Sequence, residues 1–182
     1  MAELLDIYDS RGRATGRVQP RDGQTGGENY YLTVRVWVRD AAGRLLVTRR
    51  QADRVWRPGA WEVSGGFAQA GESPFAAACR ELREETGLTP GEKDWLRLGR
   101  FVYEDVFSGV PYHAFVDSYL VQLAEERVPI TPQASEVSDW TWVDGTRFAA
   151  FEGEREMEPF TAGGFERYRE RILAGIPRRK KP

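Results

Sequence analysis

Gly66–Leu88 reads GFAQAGESPFAAACRELREETGL, and the reading of this stretch decides the fold. Two loop glycines, Gly65 and Gly66, open it, and a second turn falls at Gly71. Ser73 has the chemistry of an N-cap, and Pro74 suits the first helical position, where its missing N–H costs nothing. Gly87 suits the residue just past a helix end. A helix is therefore predicted between Ser73 and Gly87. At about 100° per residue, one flank collects Phe75, Ala78, Cys79, Leu82 and Thr86 and can pack on a sheet. The adjacent flank collects Glu81, Glu84 and Glu85. Like charges at this spacing destabilise a helix, and its C-terminal end disfavours anions further. A bound divalent cation reverses that cost, and Mg²⁺ takes hard oxygen ligands of this kind together with waters and substrate phosphate. A solvated acidic face, with Arg80 and Arg83 as counter-charges, fits the bare cluster as well.

The complete spacing is more specific. Gly66, five residues, Glu72, seven residues, then Arg80-Glu81-Leu82, Glu84-Glu85 and Gly87-Leu88 resemble the Nudix box at every one of its nine specified positions. The resemblance implies the Nudix fold, an α/β/α sandwich around a mixed β-sheet. It implies a pyrophosphohydrolase that uses Mg²⁺, with Mn²⁺ as a substitute, on a small diphosphate or nucleotide substrate. Glu81, Glu84, Glu85 and the carbonyl of Gly65 become the expected metal ligands, with Glu81 also a candidate general base. Arg80 is expected to orient a carboxylate and Glu72 to fix the loop-to-helix geometry. Glu136, just ahead of a W-x-W-V strand, is the expected further catalytic carboxylate, with Glu104 as second choice. Tyr103 stands about where dinucleoside polyphosphate hydrolases of the family carry a substrate-contacting tyrosine.

A subtype is also legible. ELLDIYD followed by DSRGRATG, then VWV and RR ahead of WEVSGG, is similar to the isopentenyl-diphosphate-isomerase-like branch. Isomerases of that kind use a cysteine outside the box, in a loop that also carries histidine. Here Cys79 is the only cysteine and lies in the box helix, and His113 is the only histidine. Hydrolysis is expected over isomerisation. A nucleotide-binding sensor of the same fold without turnover is the alternative, which loss of box carboxylates would favour; all are present.

The whole chain agrees with a soluble enzyme. Its 182 residues suit one domain, with 41% hydrophobic and 30% charged residues. A net charge of −2 gives no basic field for a nucleic-acid polymer or an anionic membrane. One cysteine excludes an intramolecular disulfide and a cysteine-based zinc cluster, and Cys79 projects onto the packing flank. No 18-residue apolar run or signal-peptide core is present, so a cytoplasmic protein is expected.

Residues 1–28 are read as an accessory β-hairpin extension, Glu3–Tyr8 pairing with Arg13–Val18 across a turn at Asp9–Gly12, followed by a glycine-containing polar loop. A homodimer through this hairpin is a further expectation. Residues 29–176 form the hydrolase domain and 177–182 a basic tail. Strands are predicted at Tyr30–Val38, Arg44–Arg49, Trp61–Val63, Trp95–Tyr103 and Tyr112–Gln122, then after Glu136, with a terminal helix over Pro159–Ala174. Arg50 ends the second of these strands beside Arg49, and its planar fork suits phosphate oxygens. Trp61 and His113 are read as structural.

Overall fold

Tyr30–Arg39 is buried along nearly its whole length, and the sheet grows outward from it. In the computed structural model, which describes residues 3–21, 26–107 and 109–176, the elements run as follows. Strands β1 (Leu4–Tyr8) and β2 (Ala14–Pro20) precede β3 (Tyr30–Arg39), β4 (Arg44–Arg50), β5 (Trp61–Glu62) and β6 (Ser64–Phe67). Helix α1 (Pro74–Thr86) comes next, then β7 (Trp95–Phe107), β8 (Val110–Gln122), β9 (Val137–Asp144), α2 (Phe148–Glu154) and α3 (Pro159–Ala174). Among the described residues these strands join one mixed sheet. β3 pairs in parallel with β8 from Tyr30↔His113 to Arg39↔Gln122 and antiparallel with β6 from Thr33↔Phe67 to Val36↔Ser64.

Strand alternation sorts β3 into two faces. Leu32, Val34, Val36 and Val38 pack with Ala77, Ala78 and Leu82 of α1. Trp37, on the other face, packs with Phe148 of α2 and with Phe165 and Ile172 of α3. The result is the α/β/α sandwich expected from the resemblance. Thr33 and Arg35 share the Trp37 face, so a polar strip runs through a hydrophobic sheet on the α3 side.

α1 has the expected ends. Ser73 accepts from the N–H of Ala76, and Gly87 adopts φ 74° with its N–H on the carbonyl of Arg83. Its buried face is rotated from the expected one, to Ala77, Ala78, Glu81, Leu82, Glu85 and Thr86. Phe75 is partly exposed, its ring 5.2 Å from that of Trp95, and Cys79 is half-buried. Two of the three carboxyl groups on the acidic flank, Glu81 and Glu85, lie inside.

Three further differences have local causes. Gly65 and Gly66 were expected in a loop but form β6, because strand pairing here needs residues without side chains. A Cβ on Gly65 would stand 2.1 Å from the carbonyl oxygen of Val34, and one on Gly66 2.3 Å from Oε1 of Glu81. β7 runs past Tyr103 to Phe107 because β8 begins at Val110 and holds Glu104 and Asp105 opposite His113 and Tyr112. α2 was not foreseen; its seven residues are fixed by Phe148 and Phe151 packing across Trp37 and Trp61. β1 and β2 pair antiparallel between Leu4↔Pro20 and Tyr8↔Ala14. The basic tail lies outside the described residues.

Candidate active site

The box residues converge through one guanidinium. Arg80 donates from Nε and Nη2 to the two carboxylate oxygens of Glu72 at 3.0 and 2.9 Å, a fork-on-fork pair. Its Nη1 reaches Oε1 of Glu81 at 2.8 Å and Oε2 of Glu84 at 3.2 Å, and Nη2 also donates to the carbonyl of Phe67. Arg80 was expected to orient a carboxylate; it contacts three, because Glu72, Glu81, Glu84 and the Phe67 carbonyl surround it. Glu72 accepts the N–H of Gln69 as well, which ties the turn after β6 to the helix.

Among the described residues, Glu85 has no such counter-ion. It is buried and accepts the N–H of Gly65 at 3.1 Å. Burial, then the nearby charges of Glu62, Glu81 and Glu136, lift its pKa well above the ordinary carboxylate range. Glu81 is raised too, burial outweighing the pull of Arg80. Glu84 is 42% exposed at its side chain. Two other cations near β6 are already engaged: half-buried Arg50 with Glu62 at 2.7 Å and buried Arg35 with Glu158 at 3.5 Å. Arg35, Arg50 and Arg80 therefore face six carboxyl groups, Glu62, Glu72, Glu81, Glu84, Glu85 and Glu158. Glu62, Glu81, Glu85 and Glu158 among them are buried, and ionising carboxyl groups held this close is costly unless a cation joins them.

The donor set fits a hard divalent cation on two counts: the uncompensated carboxyl of Glu85, and the cradle at Gly66, where a side chain would displace Glu81. Among the described residues, no three Asp, Glu, His or Cys side chains converge on one point. Arg80 bridges Glu81 and Glu84, and Glu84 is the exposed member of the three box carboxylates.

Gly65 and Gly66 also border a cavity of about 540 Å³. Its wall combines Thr33, Arg35, Arg50 and Tyr112 with Trp56 and Phe160, and the hairpin adds Glu3 and Arg21. The carboxylates of α1 lie behind the glycines and not on this wall. No cysteine or histidine lines it.

The outlying candidates divide. Arg50 lines the cavity, though its guanidinium is shared with Glu62 and the carbonyl of Trp56. Glu136 does not line the cavity but pairs at 3.5 Å with Arg54, which does, and its charge is felt by Glu85. Tyr103, expected at the substrate, is not on the wall. Its ring packs 4.1 Å from Phe160 and its hydroxyl donates to Asp105 at 2.6 Å. Glu104 is remote, accepting from Tyr30 and facing His113, whose ring stacks on Tyr30 at 4.7 Å. Sequence reasoning missed Glu62, Arg35, Glu158 and Trp56. Only Glu62 carried a local signal, its place three residues before Gly65 in WEVSGG.

A family model described as NUDIX domain matches residues 29–163. An uncharacterized Nudix hydrolase of Streptomyces coelicolor is 31% identical over 92% of this chain and 88% of its own length. An isopentenyl-diphosphate Delta-isomerase of Streptomyces avermitilis is 29% identical over 88% of this chain and 79% of its own. A crystal structure from Deinococcus radiodurans superposes with a TM-score of 0.73 at 22% identity, covering 91% of this chain and 99% of that one.

Proposed function

The chain belongs to the Nudix superfamily and is a Nudix hydrolase, and from that premise we propose that it cleaves the phosphoanhydride bond of a nucleoside diphosphate linked to a second moiety, with Mg²⁺. The observation that carries this reading is the buried, uncompensated Glu85 against Gly65, at the edge of the 540 Å³ cavity.

In this reading Glu81, Glu84, Glu85 and the carbonyl of Gly65 hold the ion, and Mn²⁺ substitutes for it. When bound, the ion supplies neutralisation of diphosphate charge and acidification of water. Arg80 holds Glu81 and Glu84 in register and keeps Glu72 against the turn. Glu81, whose proton affinity burial has raised, is placed to take a proton from the attacking water. Glu136, paired with Arg54 of the cavity wall, adds a further carboxylate, and Arg50 takes a phosphate oxygen. Residues 29–176 form the catalytic domain, and residues 1–28 are an extension whose Glu3 and Arg21 complete the cavity wall.

Isomerisation is disfavoured by the wall, which offers no thiol. Cys79 is on α1, and burial pushes its thiol up, away from thiolate character. The reading is tested by incubating the protein with Mg²⁺ and a panel of nucleotide sugars, ADP-ribose, dinucleoside polyphosphates, NADH, coenzyme A and nucleoside triphosphates, and with isopentenyl diphosphate. Cleavage of at least one anhydride is expected. Binding without turnover throughout would instead make the protein a sensor, and conversion of isopentenyl diphosphate an isomerase. We further place the protein in the cytoplasm and as a dimer through β1 and β2; a light-scattering mass of one chain, or recovery with the membrane fraction, counts against these.

A further inference from the structure

Arg50 and Glu62 are brought together by the β4–β5 ladder, in which Thr48 pairs with Glu62 and Arg49 with Trp61. Two nitrogens of Arg50 are committed: Nη1 to Oε1 of Glu62 at 2.7 Å, and Nε to the carbonyl of Trp56 at 2.9 Å. Nη2 takes no partner among the described residues, and the side chain lines the cavity beside Gly65. Glu62 is 5% exposed and is not on the cavity wall, so it stands behind Arg50. The second anchor is itself anchored, since the Trp56 indole donates to Oε1 of Glu158, the residue that caps α3 through the N–H of Thr161.

A buried ion pair is seldom a net source of stability, because desolvation offsets the attraction. Glu62 therefore calls for a reason other than holding the fold. A guanidinium pinned at two nitrogens loses little freedom when the third binds, and pre-organisation of that kind lowers the cost of binding.

We propose that Glu62 is a positioning residue which, with the carbonyl of Trp56, presents the Nη2 edge of Arg50 to a phosphate oxygen of the diphosphate. This rests on the cavity being the substrate site. The role belongs to binding: it acts alike on ground and transition state, so it moves KM more than kcat.

The test pairs kinetics with binding of inorganic pyrophosphate, followed by calorimetry with Mg²⁺ present, so that it stands even where no substrate is turned over. Losing one well-aligned, charge-assisted hydrogen bond weakens binding about tenfold. Glu62→Gln is expected to raise KM and the pyrophosphate Kd by about that factor with kcat within about twofold, and Glu62→Asp to recover part of it. In the Arg50→Gln background, Glu62→Gln is expected to add nothing further. Unchanged pyrophosphate affinity in Glu62→Gln overturns the proposal, as does a fall in kcat alone or an additive double variant. Should Glu62→Gln fail to fold, the same comparison is made with Glu62→Asp alone and in the Arg50→Gln background. Pyrophosphate affinity that depends on Glu62 in a protein without turnover keeps this proposal and sinks the hydrolase reading.

Discussion

Glu62 and Glu85 are carboxyl groups that the fold buries before any cation is counted. Burial, working against Arg50 and Arg35, pushes the pKa of Glu62 up to about 7, and Glu85 is raised as well. The folded protein keeps protons there that the unfolded chain, near an ordinary carboxyl pKa, has lost. For Glu62 this part of the stability is therefore present below about pH 4.5 and is lost as pH rises through about 7. Carboxyl groups whose pKa is lowered, among them Glu72, Asp40 and Asp105, act in the opposite sense only at more acidic pH. Melting temperature in EDTA is accordingly expected to be lower at pH 8 than at pH 6, and Mg²⁺ to raise it more at pH 8. A flat or rising profile over that range contradicts the account. At this scale the sequence showed the three box carboxylates and Arg50, because each sits in a local pattern. Which of them is buried, and that Glu84 alone faces solvent, depends on how α1 rolls onto β6. Tyr103 shows the converse: a plausible spacing, with the side chain turned to Phe160 and Asp105.

Elements were legible where their ends carry chemistry. α1 and α3 begin at Pro74 and Pro159, and each is stopped by a glycine with positive φ, Gly87 and Gly175. Ser73 makes one cap hydrogen bond, to Ala76 at 3.2 Å. Ser73→Ala is expected to cost about 1 kcal/mol and lower the melting temperature by about 2–4 °C. Its kcat should match the wild type, because the hydroxyl caps only the backbone N–H of Ala76; a loss of activity in the folded variant would show that the register of α1 depends on it. β6 was not legible, since SGGF has no side-chain alternation from which to infer a strand. Its reason is the close approach of Val34 on one side and Glu81 on the other. α2 escaped notice because seven residues give too short a period, and its position is decided by aromatic contacts made far along the chain.

The whole molecule adds what no local pattern holds, the link between the terminal helix and the site. Glu158, at the start of α3, is buried and pairs with Arg35 of β3, which lies over the Phe160 ring at 4.5 Å. Its other oxygen receives the Trp56 indole. Glu158 is more than a hundred positions from both Arg35 and Trp56, so their meeting depends on how the start of α3 packs on the sheet. Glu158→Gln leaves Arg35 buried without its partner and is expected to cost about 3–5 kcal/mol, read from urea unfolding. A wild-type midpoint would remove the pair from the framework. The sandwich thus gathers acidic groups from α1, β5 and α3 around a short glycine strand, and the central claim is that α1 completes this arrangement with a divalent cation. The most direct measurement is turnover of the best substrate by wild type and Glu85→Gln, in EDTA and then with Mg²⁺ restored. The account predicts no turnover in EDTA, full recovery in the wild type, and a loss of about a thousandfold in a folded Glu85→Gln protein. Turnover that survives EDTA, or a Glu85→Gln enzyme as active as the wild type, would contradict it.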